Sequence, residues 1–240
     1  LQAKIAQFSE TGSTSLSPVR QAAVLLKQIS LESSTLKQKE KIEKDIVTNK
    51  FAIMKAELST MEAIESSEDV CLAHMLVTKH VRSCNYDAYV IACFCDPGVA
   101  ELRALGYQNV FGIAESAMHV AANIGSKFGI LSILDVSVER HIKQVERAGL
   151  SNMLAADLAL NLGVLDLEDK GLARPRIEKV GRKLVKEFGA TSIILGCAGM
   201  GIHRQWLQEL LGVPVIDPCW AGMVMAMATL GENIKDTKIN

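Results

Sequence analysis

The sequence predicts an α/β protein of two pseudo-symmetric, doubly wound subdomains, each built around a parallel central sheet. Three observations carry that prediction. Short apolar runs of strand length alternate with longer segments of helical period. One of those runs, Asp87 to Cys93 ("DAYVIAC"), is apolar at every position after its first, as a strand covered on both faces must be. The order of elements also occurs twice, each time bringing a cysteine to the end of a strand: "IACFCDPG" from Ile91 and "ILGCAGM" from Ile194.

Residues 1–21 read as a flexible leader, because Ser9 to Pro18 is rich in turn formers and has no apolar period. The first subdomain is expected over 22–117. It opens with a strand at Val24 to Leu31, after which Ser33, Ser34 or Thr35 can cap a helix that presents Leu36, Ile42 and Ile46 on one side. The alternating lysines and acids from Lys37 to Lys50 form the solvated face of that helix. A strand at Phe51 to Leu58, a helix from about Glu68 to Ser83 and the strand at Asp87 to Cys93 follow. The second subdomain is expected over 118–217, with a strand at Phe128 to Leu134, helices at Val138 to Gly149 and Arg176 to Phe188, and a strand at Ala190 to Leu195. The halves share a register: Ile29 to Cys93 and Ile133 to Cys197 are each 64 residues apart (93 − 29 and 197 − 133). Each cysteine is followed by a glycine-containing turn, a helix and a similar close, "LGYQNVFGIAES" from Leu105 and "LGVPVIDPCW" from Leu211. The Met-rich "AGMVMAMATL" reads as a core or subunit-contact helix, within a segment, 218–240, expected to pack back on the first subdomain.

At 240 residues, burial of a sizeable core is not limiting. A formal charge of −1 gives no basic stripe for nucleic acid, so a small-molecule partner is favoured. No uninterrupted apolar run reaches the ~18 residues of a membrane span. The six cysteines are scattered rather than arranged as the framework of a small secreted domain, and residues 1–20 lack the two regions of a signal peptide. A reducing, cytoplasmic setting is therefore expected.

In an open parallel sheet, ligands bind beyond the carboxyl ends of the strands, where Cys93 and Cys197 both fall. If the subdomains face each other across a cleft, so do the two thiols. The amides of the turns and helix starts that follow can lower a thiol pKa and hold a carbonyl or carboxylate oxygen. Two thiols on opposite sides of one carbon suit proton removal next to a carbonyl on one face and proton return on the other, which racemises the centre without a cofactor. A metal site at Cys93, Cys95 and Cys197 is the weaker reading, since the C-x-C spacing has no second cysteine pair or histidine pair near it.

The stretches "ACFCDPG", "VFGIAESAMHVAANIGSKFGIL" and "ILGCAGM…LGVPVIDP" resemble the aspartate/glutamate/hydantoin racemase superfamily, in its hydantoin and allantoin racemase branch, over roughly residues 24 to 230. The resemblance implies that Cys93 and Cys197 are the two acid/base cysteines, that no cofactor is used, that the substrate is a hydantoin or allantoin, and that the chain forms a homo-oligomer. The second motif matches completely. In the first, Cys95 stands where the family has glycine, and the family's Asn-Pro-Asn-Ser loop is replaced by Leu31-Glu-Ser-Ser34. Asp135 and Ser137 stand where the family often has threonines. Expected substrate contacts are Ser33, Ser34, the backbone around Phe94, Cys95 and Asp96 and around Ala198, Gly199 and Met200, and Glu115 of the family-like "GIAE".

Two other readings stay open on the sequence. One is a racemase of an acyclic amino or dicarboxylic acid, against which stand the missing Asn-Thr and Thr-His pairs after the two cysteines. The other is a noncatalytic binding protein of the same fold. Cys71, Cys84 and Cys219 read as packing residues, and His74, His80 and His141 as surface residues of polar helices. His203, six residues after Cys197, reads either as a group that perturbs that thiol or as a capping and packing residue, and His119 reads as a helix-face neighbour of Glu115.

Overall fold

The computed structural model describes residues 63–233. The expected leader, the strands at Val24 to Leu31 and Phe51 to Leu58, the helix between them, and Ser33 and Ser34 lie outside the described residues.

Helix α1 (Ser67–Arg82) begins one residue before the expected start, because Ser66 and Asp69 form a reciprocal cap: Asp69 N–H donates to Ser66 Oγ at 3.1 Å, and Ser66 N–H to Asp69 Oδ2 at 2.8 Å. The chain continues through β1 (Tyr89–Ile91), α2 (Val99–Ala104), β2 (Val110–Gly112) and α3 (Ile113–Ile124). β1 and β2 pair in parallel, with Tyr89 opposite Val110 and Ile91 opposite Gly112. The expected boundary between residues 117 and 118 falls inside α3.

The second sheet has four parallel strands in the order β4-β3-β5-β6. They are β3 (Phe128–Ser132), β4 (Leu154–Ala159), β5 (Ser192–Leu195) and β6 (Val215–Ile216). Between them run α4 (Asp135–Arg147), α5 (Lys170–Lys186) and α6 (Arg204–Leu211), and α7 (Pro218–Asn233) closes the described chain. The parallel pairing bears out the α/β class. β3 and β5 are buried at every residue, as their unbroken apolar runs require.

Three differences from the sequence reading have local causes. α4 starts at Asp135 rather than Val138, so Asp135 and Ser137 belong to a helix and not to a strand-end loop. α5 starts at Lys170 rather than Arg176: Asp169 caps it through the Gly171 and Leu172 amides, and the helix accommodates Pro175, whose missing N–H deletes one internal bond. β4 has no counterpart among the expected strands, because "LAADLA" is built from small side chains with Asp157 in the middle.

The second sheet buries both faces by simple alternation. Leu131, Ile193 and Leu195 point to a core completed by Ile177 and Leu184 of α5 and Leu207 of α6. Ile130 and Ile194 point the other way, to Ala117, Met118 and Ala121 of α3, Val145 of α4, and Phe94 from the loop after β1. A third cluster of Val81, Ile91, Val99, Leu102 and Val110 fills the space around the first sheet. α7 lies against it closely enough that a Cβ on Gly222 would meet Val90 Cγ1 at 3.0 Å. No described helix is long and apolar enough to cross a membrane.

Candidate active site

Cys93 and Cys197 each stand two residues beyond the end of a parallel strand, β1 and β5 respectively. The loops they begin fold alike. The Asp96 N–H donates to the Cys93 carbonyl at 2.9 Å, and the Met200 N–H donates to the Cys197 carbonyl at 3.1 Å. One residue earlier in each turn, the Cys95 and Gly199 amides favour the thiolate forms of Cys93 and Cys197. Two amides thus act on the cysteine in each half. The Asp96 and Met200 N–H groups, expected near a substrate carbonyl, are thereby engaged within the turns. The side chains of Phe94 and Met200 are buried in the core, 4% and 0% exposed.

In each half a buried carboxylate caps the helix that follows the next strand, packed between that helix and the cysteine loop, with the aspartate and the glycine that makes room for it exchanged. In the first half Asp96 lies in the cysteine loop and accepts the Ala114 and Glu115 amides of α3, both at 2.9 Å, while Gly112 makes room for it. In the second half Asp217 lies before α7 and accepts the Cys219 and Trp220 amides, and it is Gly201 of the cysteine loop that makes room. A Cβ on Gly112 would stand 2.2 Å from the Asp96 carboxyl carbon, and one on Gly201 would stand 2.7 Å from Asp217 Oδ2. An arginine in each half donates to the strand before that helix, Arg103 to the Val110 carbonyl and Arg204 to the Val215 carbonyl, each at 3.0 Å through Nε.

The two thiols have opposite proton affinities. Cys93 Sγ lies 3.2 Å from Cys95 Sγ. Donation from the Cys95 thiol outweighs burial and holds Cys93 below the usual thiol range, helped by the Cys95 amide and the positive charge of Arg140 on α4. Cys95 is raised in consequence. Burial pushes Cys197 up to about 12 despite the Gly199 amide, with added repulsion from Cys93 and Glu65. These mutual effects put Cys93 and Cys197 in one electrostatic neighbourhood. Cys219 belongs to it as well, raised by burial and by Asp217, Cys197 and Cys93.

Three members of this neighbourhood escaped the sequence reading. Glu65 sits in a polar stretch before α1, and its Oε1 accepts the Val164 amide at 2.8 Å, 99 residues away. Arg140 lies in a helix read as polar, yet its Nε is buried without a protein partner among the described residues while Nη2 donates to Ser137 Oγ at 3.1 Å. Cys219 was expected only to pack. The sole sequence signal for it was its place after "VID", the counterpart of "VFG" in the first half. Glu115, expected at the substrate, is engaged by the Arg103 guanidinium, with Nη1 to Oε2 at 2.9 Å and a second bond from Nη2. His119 is exposed and does not join it.

Histidine placement also departs from expectation. His141 is buried, 2% exposed, with Nδ1 at 2.8 Å from Ser132 Oγ and 2.9 Å from Asp157 Oδ2. The serine and the carboxylate share one ring nitrogen, so the trio lacks the nucleophile, base and orienter sequence of a hydrolytic triad. His141 meets the Phe94 ring edge-on at 4.9 Å, which links this network to the Cys93 loop. His203 is fully buried and its Nε2–H donates to the Leu167 carbonyl at 2.8 Å, so burial holds it below its usual range and in a packing role. His74 is half-buried, its Nδ1 accepting the Gly98 amide at 3.2 Å and its Nε2 paired with Glu101.

Residues 34–226 match the family described as Asp/Glu/Hydantoin racemase. The chain belongs to that family. It is 41% identical over 184 residues to a hydantoin racemase of Paenarthrobacter aurescens, covering 74% of this chain and 77% of the relative. The solved structure of the allantoin racemase from Klebsiella pneumoniae superposes with a TM-score of 0.67 at 35% identity, over 71% of each chain. That of the allantoin racemase from Pseudomonas fluorescens superposes with a TM-score of 0.68 at 27% identity, over 72% of this chain and 74% of the other.

Proposed function

We propose that this protein is a cofactor-independent racemase of a hydantoin or allantoin, with Cys93 and Cys197 as its two acid/base groups. The observation that carries the reading is the pair of turns, each closed by an amide bonded to the cysteine carbonyl, that set one thiol held below the usual range and one held above it at the ends of parallel strands. At neutral pH, Cys93 acts as the thiolate that removes the proton next to the carbonyl, and Cys197 as the thiol that delivers one to the opposite face. For the other enantiomer the roles reverse. Arg140 stabilises the Cys93 thiolate from across the site, and Phe94 and Ala198 offer the turn amides left over for the developing enolate oxygen. The names of the relatives support a cyclic ureide over an acyclic amino acid.

The test is racemisation of enantiopure allantoin and of a 5-substituted hydantoin, followed by circular dichroism. Cys93→Ser and Cys197→Ser are each expected to lose about 10²–10⁴-fold in rate, the usual worth of a positioned acid or base. Racemisation at the wild-type rate in either variant would refute the assignment. Ligand-induced stabilisation with no racemisation by the wild type would place the chain among binding proteins.

A further inference from the structure

We propose that Cys93 and Cys95 form an oxidation site for small hydroperoxides, in which Cys93 is oxidised and Cys95 resolves it into a reversible disulfide within the turn. The sulfurs are 3.2 Å apart and both residues are half-buried. A disulfide is about 2.05 Å long and spans Cα atoms about 4.4–6.8 Å apart, a separation that residues two apart in a turn provide. The turn that carries both cysteines is held closed by the bond from the Asp96 amide to the Cys93 carbonyl at 2.9 Å.

The Cys93 thiolate attacks the peroxide: an S–O bond forms, the O–O bond breaks, and the departing oxygen takes up a proton as water or alcohol. Cys95 then attacks the Cys93 sulfur, forming S–S and releasing the hydroxyl with the Cys95 proton as water. Two thiols lose two electrons and the peroxide gains them. Selectivity within the cluster follows from proton affinity, since Cys197 and Cys219 are both raised and stay protonated, whereas Cys93 is held as the nucleophile. With Cys93 locked in a disulfide, the racemase loses one of its two bases. That consequence rests on the function proposed above.

The experiment treats the full chain with graded hydrogen peroxide, blocks free thiols with N-ethylmaleimide, and measures the peptide spanning residues 93 and 95 by mass spectrometry alongside the racemisation rate. In the wild type the peptide should lose two hydrogens and escape alkylation. The rate should fall about 100-fold or more, and dithiothreitol should restore both. In Cys95→Ser, referred to its own untreated rate, Cys93 should pass to sulfinic and sulfonic acid that dithiothreitol does not reverse. Equal over-oxidation of Cys93 in wild type and variant would overturn the inference. So would a disulfide from Cys93 to Cys197 or Cys219, or an unmodified Cys93 at a dose that oxidises exposed Cys71. A Cys93–Cys95 disulfide in a protein that racemises nothing would leave the oxidation site standing and refute the proposed function instead.

Discussion

Asp96 shows how a single side chain couples the fold to the chemistry of the thiol three residues before it. Two amides at the start of α3 favour its carboxylate, but burial outweighs them and pushes its pKa up to about 8. In the unfolded chain the same group titrates near 3.9. Below about pH 4 both states are protonated and the folded state has the full benefit of the neutral acid. Between about 4 and 8 the unfolded chain ionises while the folded one does not, so stability drains away as pH rises toward the folded value. Asp96→Asn keeps an acceptor for the α3 amides and removes the titration. Its melting temperature should therefore change less than that of the wild type between pH 5 and 8. Parallel curves for the two proteins would show that Asp96 is ionised in the fold throughout. At this scale the sequence exposed Cys93 and Cys197, since a thiol at a strand end is a local pattern. It hid Arg140, Glu65 and Cys219, whose roles come from contacts made across the fold.

Among the elements, the strand ends set the position of the thiols, and two packing contacts hold those ends in place. Gly196 brings β5 against β3 so closely that its amide donates to the Leu131 carbonyl at 2.9 Å, and an added Cβ would stand 2.4 Å from that oxygen. Because the obstacle is backbone rather than a flexible side chain, Gly196→Ala should cost about 1–3 kcal/mol in urea unfolding and shift the strand end that carries Cys197. An unchanged midpoint would mean that β5 moves without penalty. Phe94 performs the corresponding task for β1, inserting the first half's loop between α3 and α4 beside His141. Phe94→Ala should lower stability by about 3–5 kcal/mol, and a loss under about 1 kcal/mol would show that the loop is held by its hydrogen bonds instead. The long apolar strands and the capped α1 were legible because their signals are local. β4 was not, since alanines and an aspartate carry no strand period, and Asp157 is there for His141. The start of α5 was obscured because Pro175 ordinarily marks a boundary, and only the Asp169 cap behind it extends the helix.

Across the whole molecule, the two halves match in their cysteine turns, in one buried carboxylate each and in one arginine each on a strand carbonyl, while Ile29, an end of the first 64-residue spacing, lies outside the described residues. The exchange of aspartate and glycine between the halves was not legible in the sequence, because Asp96 and Gly201 look alike as turn residues until the helix they face is known. Under the proposed function, this symmetry supplies one thiol for each face of the substrate, which is the requirement for a two-base racemisation. The most direct test follows solvent deuterium during racemisation of enantiopure allantoin by the wild type, after subtraction of uncatalysed exchange. If separate thiols serve the two faces, the product enantiomer acquires deuterium from the first turnovers while the remaining substrate stays protonated. Deuterium appearing in recovered substrate as fast as in product would mean that one group serves both faces, and the two-cysteine account would be wrong.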